Sequence, residues 1–128
     1  MTDRVMVDIE TLGLDPGASV VSIGAVRFDP DGTGDRFSAS ISLTSCEAAG
    51  LTIDAETLEW WLTQDDVAKR QLVGGDSLTE VLEDFAEWYG DANEIWANSP
   101  SFDCDILGAA YDAIGLDRTP LAPDGCAR

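Results

Sequence analysis

Asp8 and Glu10 stand two residues apart in the N-terminal segment VMVDIE. If that segment is extended, both side chains leave the same face, about 6.6 Å apart along the strand. Two carboxylates held this way repel each other unless water or a cation joins them, and for an isolated pair solvation alone is a sufficient account. Asp103 shifts that balance. It follows the short apolar run Glu94 to Ala97 and falls in the first turn of a predicted helix, where the dipole favours a negative charge. If the run is a strand beside the first one, three hard oxygen donors converge, the ligand set expected for Mg²⁺ or Mn²⁺. Two such ions, about 3.5 to 4 Å apart, activate a water and stabilise the leaving oxygen of a phosphodiester. Without metal, crowding predicts that at least one of the three acids keeps its proton above the ordinary carboxylate range.

These residues need a scaffold, and the hydrophobic pattern supplies one. Val5, Met6, Val7 and Ile9 predict a first strand, followed by a turn-prone stretch from Gly13 to Gly17. Ser19 to Phe28 predicts a second strand, broken by Asp29-Pro30-Asp31-Gly32 as a hairpin turn. Arg36 to Leu43 alternates Phe37, Ala39, Ile41 and Leu43 with polar residues, as a half-buried third strand should. The period then changes. Leu58, Trp61 and Leu62 recur at helical spacing after Asp54, a candidate N-cap with Thr57 three residues on. Leu78, Val81, Leu82, Phe85 and Trp88 form a cleaner stripe, opened by Ser77 with Glu80 in capping-box spacing. Glu94 to Ala97 reads as a strand and Ser101 to Ile114 as a helix, with Phe102, Ile106, Ala109, Ala110 and Ala113 available for one face and Gly115 as its stop. A Pro-rich tail runs from Thr119 to Arg128.

Composition narrows the chemistry. The chain has 128 residues, 7 Lys and Arg against 25 Asp and Glu, a formal charge of −18, three Cys and no His. This length predicts one domain over residues 1–128. The charge argues against nucleic-acid binding through a broad basic face and suggests an acidic surface suited to high salt. Without His there is no imidazole base, no His-based zinc site and no Ser/His or Cys/His nucleophile pair. Cys46, Cys104 and Cys126 are odd in number and widely separated, so a disulfide framework is not expected. No signal peptide and no apolar run of membrane-spanning length is visible, which predicts a cytoplasmic protein with no membrane contact.

The motifs VDIETLGL (7–14), VVSIGAVRFD (20–29) and NSPSFDCDIL (98–107) resemble those of the DEDD exonucleases, which share a ribonuclease-H-like fold. The Trp-Trp pair in TLEWWLTQ and the phrase IWANSPSFDCDIL are most similar to the small 3'-5' exoribonuclease subgroup that includes phage exonucleases. The resemblance covers roughly residues 5 to 115. It implies an α/β mixed sheet, three antiparallel strands and then a parallel one, with flanking helices. It further implies that Asp8, Glu10 and Asp103 bind two metal ions and that Thr11 and Leu12 contact the 3'-terminal nucleotide of single-stranded RNA or DNA.

One part of the family pattern is not found. A fourth acid on a final helix, preceded by a His or Tyr as general base, is expected in an H-x-A-x-x-D or Y-x-x-x-D arrangement. Tyr89 is followed four residues later by Asn93 and Tyr111 by Gly115, so neither tyrosine supplies it. The chain therefore reads as C-terminally incomplete, either an exonuclease lacking its third motif or a catalytically inactive remnant or binding module. A missing final helix would expose apolar surface and favour homodimer formation. Asp112, Asp117 and Asp124 are surface residues by default.

The remaining candidates each have an ordinary structural role as an alternative. Trp60 and Trp61 point about 100° apart on a helix, so one is core; Trp61 is the candidate for stacking on a base, although core packing suffices for either. Phe102 orients Asp103 or lines the substrate site. Asn98 binds substrate or makes an Asx-turn into the helix. Cys104 is expected as a small buried residue.

Overall fold

In the computed structural model, which describes residues 4–118 and 126–127, five strands form one sheet in the order β3-β2-β1-β4-β5. β1 (Arg4–Thr11), β2 (Val20–Asp29) and β3 (Gly32–Ser40) are an antiparallel meander, and β4 (Glu94–Ala97) lies parallel to β1. The β2–β3 connection is the expected hairpin. Asp29 pairs with Gly32 across Pro30 and Asp31, and the Asp29 side chain accepts from the Asp31 amide at 2.8 Å.

The alternation of β1 decides the architecture. Val5, Val7 and Ile9 are buried on one face, while Met6, Asp8 and Glu10 point to the other. On the buried face, α4 (Leu78–Tyr89) packs under β3 and α5 (Pro100–Ala113) under β1, β2 and β4. The α4 stripe holds as read: Leu78, Val81, Leu82 and Phe85 are buried, and Ser77 caps the Glu80 amide at 3.2 Å. Its other end meets Arg27, which donates to the carbonyls of Trp88 and Tyr89 and lies 5.0 Å from the Trp88 ring centroid. A cation there complements the helix dipole.

Several elements depart from the sequence reading. β3 ends at Ser40, and Leu43 opens a short helix, α1 (Leu43–Ala48), because Ser42 caps the Ser45 amide. Two further short elements, α3 (Asp66–Lys69) and the 3-10 turn Arg70–Leu72, follow α2 (Ala55–Leu62). The buried face of α5 carries Asp103, Cys104, Ile106, Leu107, Ala110 and Tyr111, whereas Ala113 is exposed. Gly108 has a steric role: a Cβ there would fall 1.8 Å from an Arg118 Nη, so the guanidinium lies against a bare helix surface. Most of the tail lies outside the described residues, but Cys126–Ala127 form β5, parallel to β4. That pairing corrects the expectation for the thiols, because Cys126 is disulfide-bonded to Cys104. Cys46 is free and buried. Among the described residues no helix is long and apolar enough to cross a membrane.

Candidate active site

The parallel register places Arg4 to Val7 beside Glu94 to Ala97, so the chain leaves β4 level with Asp8. α5 begins at once with Pro100 at its start, and Asp103 sits in its first turn with only 5% of its surface exposed. The strand pairing on which convergence depends is present. The Asp103 carboxyl is pushed up to about 6, first by burial and then by the charges of Asp8 and Glu10. Glu10 is also raised, by burial and then by Asp8. Every cause acts in one direction, disfavouring the charged form. At least one acid is thus displaced from its ordinary value, with burial as the larger cause and like-charge crowding as the smaller one. Among the described residues no three His, Cys, Asp or Glu side chains are drawn together closely enough to enclose an ion as they stand. Their donor chemistry nevertheless suits a hard cation: three oxygen donors whose mutual repulsion a positive charge would relieve.

Beside Glu10 opens a cleft of about 340 Å³, walled by Thr11, Leu14, Trp60, Trp61 and Phe102, with Glu56 and Thr57 at α2. Trp61 is 3% exposed and donates its indole N–H to the Thr11 carbonyl at 2.9 Å. Trp60 is 55% exposed, with its ring nearly perpendicular to that of Trp61. The stacking role expected of Trp61 is therefore corrected: Trp61 packs with Leu12 and Val21 in a small second core, and the indole with a free face is Trp60.

Leu12 is corrected in the same way. Its side chain is fully buried, its amide donates to Ser19 at 2.9 Å, and its carbonyl accepts from Asp54 at 2.7 Å, so neither its side chain nor its amide is left for a nucleotide. Leu14, two residues on, is 70% exposed in the cleft. Thr11 is buried with its hydroxyl donating to the Gly13 carbonyl at 2.7 Å. Phe102 is half-buried, packed on the core and lining the cleft. Asn98 is exposed in the turn before α5 and lines neither this cleft nor the trough described next. The tyrosines are structural. Tyr111 is buried and donates to the Leu82 carbonyl at 2.8 Å, and burial raises its hydroxyl further above its ordinary value. Asp112 is exposed and pairs with Arg118 at 3.1 Å, Asp117 is exposed, and Asp124 lies outside the described residues.

On the other side of Glu10 a polar trough of about 380 Å³ runs over the open sheet face, lined by Asp8, Ser22, Gly24, Ser38, Ser40 and Gln71. The sequence reading singled out neither the serines nor Gln71. The strand alternation carried the signal, since Ser38 and Ser40 interleave with Phe37 and Ala39.

Residues 3–123 match the family described as the 3'-5' exoribonuclease Rv2179c-like domain. Over 116 residues the chain is 30% identical to the PolC-type DNA polymerase III of Listeria innocua, covering 90% of this chain but only about 7% of the length of that polymerase. The fold is similar to that of the zinc-bound E. coli exonuclease I complex with single-stranded DNA (TM-score 0.71, 13% identity, 98% of this chain and 27% of that one). It is also similar to the nuclease domain of 3'hExo, a DEDDh family member bound to rAMP (TM-score 0.61, 11% identity, 93% and 62%). At such identities these two likenesses speak for the ribonuclease-H-like fold alone. The family match spans most of the chain and takes in both carboxylate motifs, so the chain belongs to the Rv2179c-like 3'-5' exoribonuclease domain family.

Proposed function

We propose that this chain, as one domain over residues 1–128, removes nucleotides from the 3' ends of single-stranded RNA or DNA by metal-dependent hydrolysis. Asp8, Glu10 and Asp103 would hold Mg²⁺ or Mn²⁺, two ions in the family. The observation that carries this reading is Asp103: a carboxylate from the far end of the chain, buried in the first turn of α5, and raised first by that burial and then by the charges of Asp8 and Glu10. When bound, the ions supply an activated water and positive charge at the leaving oxygen.

The residues of the chain prepare that chemistry. β1 delivers Asp8 and Glu10 on one face, and α5 starts where β4 ends, so that Asp103 feels the charge of both. Trp61 fixes the end of β1 through Thr11, which sets the position of Glu10 relative to the cleft. Trp60 offers an indole face and Leu14 an apolar edge to the terminal base, with Phe102 as the wall nearest Asp103. Charge orients the nucleotide as well, because Asp54 and Glu56 repel phosphate from the cleft and leave it to the base.

A second reading is supported by Tyr111, whose hydroxyl is committed to Leu82 in a chain that has no His. On that reading the domain binds a cation and a nucleotide without turning over, since a single general base contributes about 100 to 10,000-fold in rate. Incubation with Mn²⁺ and a 5'-labelled single strand separates the two. A ladder shortening from the 3' end, abolished by Asp8→Ala, supports the enzyme. Metal-dependent binding with no ladder supports the binding module.

A further inference from the structure

The polar trough beside the carboxylates has features that neither the sheet nor the metal site requires. Resting on the reading of the site given above, we infer that it is the track for the sugar–phosphate backbone of the strand leading to the terminal nucleotide.

Position is the first argument. Glu10 lines both the aromatic cleft and the trough, and Asp8 lines the trough, so the carboxylates stand between the two spaces. A strand with its last base in the cleft and its last phosphodiester at the carboxylates continues into the trough. The register shows what it meets there: Asp8, Gly24 and Ser38 form one row across β1, β2 and β3, and Glu10, Ser22 and Ser40 form the next. Two strand spacings extend that surface about 10 Å from β1.

Chemistry is the second. Ser22, Ser38 and Ser40 carry hydroxyls that both donate and accept, and Gln71, whose side-chain oxygen accepts from Ser22 at 3.2 Å, closes the trough from the 3-10 turn. In a chain of charge −18, neutral donors of this kind bind phosphate oxygens or ribose hydroxyls without a basic face. The few cations are also placed accordingly. Arg4, Lys69 and Arg118 pair with Glu94, Asp66 and Asp112, and Arg27 caps α4. Arg36 and Arg70 form no ion pair among the described residues, and both are near neighbours in the chain of residues that line the trough. Arg36 shares a strand face with Ser38 and Ser40, and Arg70 adjoins Gln71.

Gly24 is the third. A glycine inside a strand carries an entropic cost, and it typically marks a bulge or a place where another group comes close to the backbone. Gly24 has no positive φ, and a Cβ there would meet only the Asp8 carbonyl, at 3.7 Å. The fold therefore accepts a side chain at this position, and what the glycine keeps open is the trough next to Asp8.

The test is binding of a 5'-fluorescein pentanucleotide with a 3'-terminal phosphorothioate linkage, in ribose and deoxyribose forms, with AMP as a mononucleotide control, all in Mn²⁺. Ser38→Val with Ser40→Val is expected to weaken the pentanucleotide about fivefold or more. Gly24→Val should weaken it further, and each variant should hold AMP within about twofold of wild type while keeping its melting temperature. Arg36→Gln should flatten the slope of log affinity against log salt by about 0.7. A loss confined to the ribose form assigns the hydroxyls to the 2'-OH, and a loss in both assigns them to phosphate. Pentanucleotide affinity unchanged in all variants, or lost together with AMP affinity, overturns the track. Failure of the wild type to bind either probe overturns the parent reading of the site as well.

Discussion

The indole N–H of Trp61 donates to the carbonyl of Thr11 at 2.9 Å, joining α2 to the end of β1 immediately after Glu10. Both groups are buried, so the bond has no competing water, and the neighbouring Trp60 is left exposed over the cleft. The adjacent tryptophans thus do different work, and the difference is measurable.

Trp61→Phe keeps an aromatic ring but strands the Thr11 carbonyl, and is expected to destabilise the fold by about 1 to 3 kcal/mol in urea unfolding. Trp60→Ala is expected to change stability by no more than about 0.5 kcal/mol, as an exposed substitution does. It should instead weaken nucleotide binding by about 1 to 3 kcal/mol, the usual worth of a base–aromatic stack. The reverse pattern would show that Trp61, not Trp60, meets the base.

Asp103 gives a pH signature. Its carboxyl is raised from 3.8 to about 6 in the folded state, so the penalty for ionising it is fully present above pH 6 and disappears below pH 4, where both states hold the proton. The metal-free protein should gain on the order of 3 kcal/mol from this residue as pH falls from 7 to 4. Asp103→Asn removes the gain, so in EDTA the variant should be the more stable at pH 7 and the two should converge in acid. Parallel stability profiles would show that Asp103 titrates normally.

The disulfide makes a third prediction, since Cys104 directly follows Asp103 and its bond to Cys126 holds β5 to the start of α5. Its closed loop, with a sequence separation of 22, implies that reduction costs about 3 kcal/mol of stability. Thiol titration of the unreduced, denatured chain should find one free thiol, Cys46, and dithiothreitol should lower the urea midpoint. Three free thiols before reduction would contradict the pairing.

Much of the scaffold was legible where a strong period coincided with turn or cap chemistry. The α4 stripe with Ser77, the Asp29–Gly32 hairpin, the Asp54 cap and the strand Glu94–Ala97 all stand as read. Leu43 misled because its side chain continues the β3 alternation while Ser42 caps a helix, a local hydrogen bond that periodicity does not register. The facing of Trp60 and Trp61 depends on where α2 docks, which a 100° separation leaves open. A nucleotide contact for Leu12 rests on its place in the motif alone, whereas its burial follows from packing against Val21 and Trp61, which depends on where α2 docks. Pairing of Cys104 with Cys126 required β5 to lie beside β4, a relation that Cys spacing does not encode.

Mn²⁺ titration at pH 7, followed by melting temperature and by loss of the free-ion EPR signal, tests the three-carboxylate site most directly. Wild type should bind the ion and melt at higher temperature with it, and Asp8→Asn, Glu10→Gln and Asp103→Asn should each weaken both effects. Undiminished binding in all three variants, or no binding by the wild type, would contradict the site.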